Sequence, residues 1–216
     1  MKFLDSDKSR RGLTLIDVLI IIAAVAVLAV LLLPAITTTR NPAPRMTCVN
    51  NLKQLGLAFR TWSNEHADHF PWSVPQSNGG TLALAMSTQL WRHFETLSNE
   101  VSSPKIFVCP SDVERQNAGS WASRISNRNI SYFIGLDADE AKPQSILSGD
   151  RNLSTNDNIL TGVVSFPNPM AVHWTAAIHK GEGNFGLGDG SVMQVTARNL
   201  FHSVTNAGLP VRLSIP

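Results

Sequence analysis

Few residues in this chain have side chains suited to metal binding or acid–base chemistry. Its two cysteines, Cys48 and Cys109, cannot build a zinc site alone, but they can form one disulfide in an oxidising compartment. His179 and Asp189 could act as metal ligands or as an acid–base pair. Their position around a glycine-rich hairpin instead favours hydrogen bonds that hold the turn at Gly190. His173 is nearby in sequence, but without supporting outer-shell groups three candidate ligands do not establish zinc.

A cluster of carboxylates suggests calcium as an alternative cofactor. Asp137, Asp139 and Glu140 lie within four residues, and calcium takes six to eight oxygen ligands. Solvated loop acids are the more common outcome of such a cluster, so we expect no cofactor and keep calcium as the alternative. The string Gly181-Glu-Gly-Asn-Phe-Gly186 fits a dinucleotide pattern, but that site needs a preceding strand and a following helix. Here a hairpin signal, Asp189-Gly190, follows instead.

Other functional classes lack support in the sequence. No nucleophile elbow, metalloprotease helix or phosphate-binding loop is present, so we do not expect an enzyme. The formal net charge of +2 is carried by the first twelve residues. The remainder is neutral and has no basic run that would bind a nucleic-acid backbone. The five tryptophans are expected in the core, with a carbohydrate- or partner-binding surface as the alternative.

The N-terminal segment has the composition of a membrane helix. Residues 18–33 are sixteen apolar residues in succession, and extension back to Leu13 adds only Thr14 and Asp17 as polar interruptions. A helix of that extended length spans about 30 Å, the thickness of a bilayer's hydrocarbon core. Lys8, Arg10 and Arg11 precede the run, which predicts a cytoplasmic N-terminus and an exported body. A carboxylate such as Asp17 is costly there and indicates a function, with a position in the headgroup layer as the alternative.

The stretch Arg11-Gly-Leu-Thr-Leu-Ile-Asp-Val-Leu-Ile-Ile-Ile-Ala-Ala resembles the processing signal of type IV pilins and type II secretion pseudopilins. The resemblance implies cleavage after Gly12 by a prepilin peptidase and methylation of the new N-terminal Leu13. Asp17 then corresponds to the acidic residue that pairs with a neighbouring subunit's α-amine during assembly. The family usually has glutamate there, and often phenylalanine or methionine where Leu13 stands.

Motifs in the body resemble a pilin-like group found in planctomycete- and verrucomicrobia-type bacteria. They are Cys48-Val-Asn-Asn-Leu-Lys-Gln-Leu-Gly-Leu-Ala-Phe, Phe70-Pro71, Phe107-Val-Cys-Pro-Ser-Asp112, and His179 followed after nine residues by Asp189-Gly190. The resemblance implies an exported domain, which places both cysteines in an oxidising compartment. We therefore expect Cys48 and Cys109 to pair, with Cα atoms within about 7 Å.

The predicted fold is α+β, with a long N-terminal transmembrane helix and a pilin-like globular domain of a packing helix and an antiparallel sheet. We assign residues 1–12 to the leader, 13–40 to the transmembrane or filament-core helix, and 41–216 to the extracytoplasmic domain. Asn41-Pro-Ala-Pro should interrupt the helix. An amphipathic helix is predicted at residues 46–62, with Met46, Val49, Leu52, Leu55, Phe59 and Trp62 on its apolar face. Strands are predicted at residues 130–134, 159–166, 170–174, 184–187 and 192–195.

The predicted function is a structural subunit of a type II secretion pseudopilus or type IV pilus. Its partners would be the prepilin peptidase, homologous pilin subunits, the secretion or pilus assembly machinery and the membrane. The predicted location is the bacterial inner membrane, in a single pass, with the domain periplasmic or extracellular. The alternative is a membrane-anchored envelope or surface binding module that uses the same leader but does not polymerise.

Overall fold

The computed structural model describes residues 15–37, 43–155, 158–166, 172–208 and 211–216, with side chains throughout except at residues 29–37, 43 and 166. The chain divides into two compact units, Met1–Ala43 and Pro44–Pro216.

In the first unit the structure describes helix α1 (Leu15–Thr37). Every described side chain of α1, from Leu15 to Leu28, is exposed within the monomer. Leu15 is 79% exposed and Ile20 is 63% exposed, although both are apolar. Among the residues that the structure describes, no helix combines the length and the hydropathy needed to cross a membrane.

Helix α2 (Ala43–Asn64) lies in the second unit except for its first residue, and it begins three residues earlier than the sequence predicts. Pro44 lies in its first turn, where a missing backbone N–H costs no hydrogen bond. The prediction was wrong for Met46, which is 46% exposed. The other predicted apolar positions are buried and are joined by Cys48: Val49, Leu52, Leu55, Phe59 and Trp62.

The described strands are β1 (Tyr132–Gly135), β2 (Ile146–Asp150), β3 (Leu153–Ser154), β4 (Gly162–Phe166), β5 (His173–Trp174), β6 (Gly183–Leu187), β7 (Val192–Val195) and β8 (Val211–Ile215). Six of them form an antiparallel sheet at the centre of this unit, in the order β4-β8-β1-β2-β6-β7. A separate pair of strands, β3 and β5, is also antiparallel. Two short helices, α3 (Trp91–Glu95) and α4 (Leu200–Asn206), and single 3-10 turns complete the described elements.

The α+β class and the antiparallel sheet confirm the predicted architecture at this level. Five of the strands coincide with predicted segments: β7 has the predicted ends, and the other four differ at one or both ends. The first part of the segment predicted at 170–174 lies outside the described residues. Strands β2, β3 and β8 were not predicted. The last predicted pair, β6 and β7, forms the expected hairpin, with Asn184 opposite Gln194.

Apolar side chains cover both faces of the sheet. On β1, Tyr132 and Ile134 belong to the cluster that includes α2, whereas Phe133 belongs to a second cluster with Phe185. This alternation follows from the period of two along a strand. Of the five tryptophans, Trp62, Trp72 and Trp174 are buried, and Trp91 and Trp121 are half-buried.

Candidate functional site

The two cysteines form a disulfide that joins α2 to a turn in the loop region. Their Cα atoms are 5.0 Å apart across a sequence separation of 61 residues. Cys48 belongs to the buried face of α2, and Cys109 begins the turn Cys109-Pro-Ser-Asp112, in which the Asp112 N–H donates to the Cys109 carbonyl at 2.9 Å. Both cysteines are fully buried. The Cα separation lies within the limit that the predicted pairing requires.

His179 lies against this disulfide. Its Nε2 is 3.5 Å from the Sγ of Cys109, and its side chain is 2% exposed. The backbone of His179 is left-handed, with φ of 53°, a conformation that costs free energy for a residue with a Cβ. Asn152 holds this loop in place, because its side-chain amide contacts the carbonyls of Thr175, Ile178 and Glu182 at 2.9 to 3.1 Å.

Asp150, at the end of β2, is the buried acid beside His179. Its Oδ2 lies 3.5 Å from His179 Nε2. The same oxygen accepts hydrogen bonds from the backbone and side-chain amides of Asn184, at 2.8 and 2.7 Å. The Oδ1 atom is also buried, and no hydrogen-bond partner for it is found within the described part of the chain. We call Cys48, Cys109, Asp150, His179 and Asn184 the polar cluster.

Burial dominates the protonation of the cluster. It raises the pKa of Asp150 to about 7, even though the Asn184 hydrogen bonds and the charge of Arg45 act in the opposite direction. Burial, helped by Arg45, lowers the pKa of His179 to about 4. His179 is therefore neutral at pH 7, while Asp150 titrates near that pH.

Arg45 connects the first turn of α2 to the start of β6 beside the cluster. Its Nη2 donates to the Gly183 carbonyl at 3.2 Å, and its Nε approaches the Asn184 Oδ1 at 3.4 Å. Its Nη1 forms an ion pair with Glu182. The Arg45 charge is thus separated from Asp150 by the Asn184 side chain, which contacts both residues.

The geometry of the cluster differs from that of a Cys–His–Asp catalytic triad. In a triad the acid contacts one ring nitrogen of histidine and the nucleophile contacts the other. Here the same atom, His179 Nε2, faces both Cys109 and Asp150. The Cys109 sulfur is also part of the disulfide and cannot act as a thiolate nucleophile in this state.

Asp189 and Gly190 form the predicted tight turn between β6 and β7. The Asp189 Oδ1 accepts from the Ser191 N–H at 2.8 Å, and Gly190 has φ of 83°. Arg60 of α2 donates from Nη1 to the Asp189 carbonyl at 2.7 Å. The expected role of Asp189 in holding the turn agrees with these contacts, whereas the ring of His179 contacts the disulfide and Asp150 instead.

The three calcium candidates each have a protein cation beside them. Asp137 forms an ion pair with Arg212, and Asp139 lies 3.8 Å from the Lys142 Nζ. Glu140 accepts from Ser63 and lies 3.8 Å from the Arg60 Nε. The partner cations lie in different parts of the fold, so these contacts do not bring the three carboxylates to one point. Calcium binding stays a prediction that this geometry does not favour.

The predicted processing residues fall at the edge of the described chain. Gly12 and Leu13 lie outside the described residues, while Asp17 lies in the first turn of α1 and is exposed. Sequence reasoning did not select Asp150, Asn152 or Asn184. A signal for Asp150 is visible only in retrospect. This acid lies three residues after the apolar pair Ile146-Leu147 and three residues before another apolar residue, Leu153.

Comparisons with protein-family models, with curated proteins and with solved structures found no match to this chain.

Proposed function

We propose that this chain is a pilin-like structural subunit of a type II secretion pseudopilus or a type IV pilus. In this proposal a prepilin peptidase cleaves between Gly12 and Leu13, and the segment at residues 13–40 acts first as a membrane anchor and then as a filament core. The domain would lie in the periplasm or outside the cell, with the N-terminus of the precursor in the cytoplasm.

The observation that carries the proposal is the apolar surface of α1. Residues 18–22 and 25 all have exposed apolar side chains, between 46% and 63% exposed. A helix that is apolar on every side needs an apolar environment on every side. Lipid provides one, and a bundle of identical helices from neighbouring subunits provides another. The sequence continues this apolar run to Leu33, beyond the residues whose side chains are described.

Two further features support an exported pilin-like domain. The disulfide between Cys48 and Cys109 suits an oxidising compartment, since cytosolic thiols are normally kept reduced. The fold of the second unit, with α2 buried against an antiparallel sheet, has the arrangement that the resemblance to pilins implies.

The test is the mass of the mature N-terminus. The full chain is produced in bacteria with and without an active prepilin peptidase, and the N-terminal peptide is identified by mass spectrometry. We expect a chain that begins at Leu13 and carries one methyl group on its α-amine, only when the peptidase is active. Gly12→Val should retain the leader, whereas Gly119→Val, at a position with open space around it, should be processed normally. An intact Met1, or a cut beyond Ala35, would contradict the proposal.

A second candidate is an envelope or surface binding module that keeps the anchor and does not polymerise. The observation that favours it is the division into two units, with α1 ending at Thr37 and α2 beginning at Ala43. Crosslinking of the processed protein in its native membrane separates the two functions. A ladder of oligomers supports the filament subunit, and a monomer alone supports the binding module.

A further inference from the structure

The polar cluster contains several metal-ligating atoms in close proximity. The sulfurs of Cys48 and Cys109 and a ring nitrogen of His179 all lie within 4.8 Å of one another. Asp150 adds a carboxylate whose Oδ2 is 3.5 Å from His179 Nε2. These four side chains come from separate parts of the chain, so the fold rather than a local sequence motif brings them together.

Two of the distances, both from His179 Nε2, match edges of a tetrahedral zinc site. With Zn–S bonds of about 2.3 Å and Zn–N bonds of about 2.0 to 2.1 Å, a sulfur and a nitrogen ligand are about 3.5 to 3.6 Å apart. The Cys109 Sγ and the His179 Nε2 are 3.5 Å apart. A nitrogen and a carboxylate oxygen on the same ion are about 3.4 Å apart by the same geometry, and the His179–Asp150 distance is 3.5 Å.

We infer that reduction of the Cys48–Cys109 disulfide converts the polar cluster into a site for a divalent ion of the zinc type, with Cys48, Cys109, His179 and Asp150 as ligands. The disulfide and the metal exclude each other, because each uses both sulfur atoms. The same residues then crosslink α2 to the Cys109 turn by a covalent bond under oxidising conditions and by a metal under reducing conditions.

The chemistry of the ligands suits zinc. Two thiolates and an imidazole are the donors that bind Zn²⁺ in structural sites, and a carboxylate completes four-coordination. Together with the ion, two thiolates and one carboxylate leave a net charge of −1, which the nearby Arg45 guanidinium favours. Asn184 would orient the carboxylate from outside, because both of its amide groups donate to Asp150 Oδ2.

The redox step balances with a trialkylphosphine as reductant. The phosphorus gives two electrons to the disulfide and becomes a phosphine oxide, whose oxygen comes from water. The two hydrogens of that water protonate the two sulfurs as thiols. Zinc then displaces both thiol protons, so that uptake of the metal is accompanied by proton release.

Metal titration of the full chain in detergent tests the inference. Oxidised and phosphine-reduced protein are titrated with Zn²⁺ in competition with a chromogenic chelator, and with Co²⁺ as a spectroscopic substitute. We expect one Zn²⁺ per reduced chain and none per oxidised chain. The Co²⁺ form should show the visible absorption of a tetrahedral ion and a sulfur-to-cobalt band for two thiolates.

Variants identify the ligands. His179→Asn, chosen because asparagine tolerates the left-handed backbone, should weaken Zn²⁺ binding by more than about 100-fold, and Asn184→Ala by about 10- to 100-fold. His69→Asn, at an exposed histidine, should bind as the parent protein does. The inference is overturned if reduced protein binds no stoichiometric Zn²⁺, if the oxidised protein binds equally well, or if His179→Asn leaves the affinity unchanged. An octahedral Co²⁺ spectrum without a thiolate band overturns it even if a variant fails to fold.

Discussion

Asp112 and Arg151 form a buried, bidentate ion pair. The Arg151 Nε donates to the Asp112 Oδ2 at 2.7 Å, and its Nη2 donates to the Oδ1 at 2.9 Å. Their side chains are 1% and 3% exposed. Because Asp112 ends the turn that begins at Cys109, and Arg151 directly follows Asp150, this pair fixes two segments that meet at the polar cluster.

Removal of one member of this pair should destabilise the domain strongly. Asp112→Asn leaves the Arg151 charge buried, with Glu114 as its remaining acidic partner among the residues that the structure describes, and we expect a loss of about 3 to 5 kcal/mol in the free energy of unfolding. Chemical denaturation of the full chain in detergent, followed by tryptophan fluorescence, measures the loss. Glu114→Gln is the matched control, because the Glu114 side chain is 56% exposed and its pairing should contribute less than about 1 kcal/mol. Equal effects of the two substitutions would contradict the argument.

Gly183, one of the glycines in the string at residues 181–186, is explained by close packing against Trp174. A Cβ at this position would lie 2.4 Å from the Trp174 indole, and Trp174 is buried. Gly183→Ala should therefore cost about 2 to 3 kcal/mol through overpacking. Gly119→Ala, where nothing lies within 4 Å, should have almost no effect.

A double variant separates this clash from a general sensitivity of β6. Trp174→Phe replaces the indole that the new methyl group meets with a smaller ring. The loss of unfolding free energy caused by Gly183→Ala should therefore be smaller in the Trp174→Phe background. Additive losses, measured by the same denaturation experiment, would show that the indole is not the obstacle.

Sequence patterns predicted the elements whose side chains alternate or repeat regularly. Helix α2 has an apolar residue at every third or fourth position, and the β6–β7 hairpin is marked by Asp189-Gly190. Strand β2 escaped prediction because its sequence Ile-Leu-Ser-Gly-Asp ends in residues typical of turns. It is nevertheless buried along its whole length, since both Asn184 amides donate to the Asp150 Oδ2 and tertiary contacts override local preference.

The polar cluster was beyond sequence reasoning for a similar reason. Cys109 and His179 are 70 residues apart, and no local spacing rule connects them. The motif that contains His179 and Asp189 indicated one turn, but the fold directs the His179 ring to the disulfide. Only the pairing of β2 with β6 brings Asp150 and Asn184 into the same place.

His93 should make stability depend on pH in the acidic range. It is fully buried beside Thr81, whose Oγ1 lies 2.6 Å from its Nδ1, and burial lowers its pKa from 6.5 to about 4. The unfolded chain therefore takes up the proton first as the pH falls. The contribution of neutral His93 is complete above about pH 6.5 and is lost towards pH 4, a change of about 3 kcal/mol.

The measurement is the difference between the parent chain and His93→Asn in unfolding free energy from pH 4 to 8. A difference profile is needed because the raised pKa of Asp150, about 7, contributes the opposite slope over much of this range in both proteins. The parent should lose stability relative to His93→Asn as the pH falls below about 6.5. A flat difference profile for His93→Asn would contradict the assigned cause.

Asp17 should be dispensable for leader cleavage and required for assembly. It is an acidic residue in the first turn of an otherwise apolar helix. When such helices pack together in a filament, the carboxylate is desolvated and needs a positive partner, which the α-amine of Leu13 on a neighbouring subunit can supply. Removal of one member of a buried pair costs about 3 to 5 kcal/mol, enough to prevent stable association at each contact. Asp17→Ala should therefore yield a processed, membrane-inserted protein that does not enter crosslinked oligomers. Asp17→Glu should assemble at least as well as the parent, because it keeps the charge. If Asp17→Ala forms the same crosslinked ladder as the parent, charge pairing does not drive assembly, and the monomeric binding module becomes the better account of this chain.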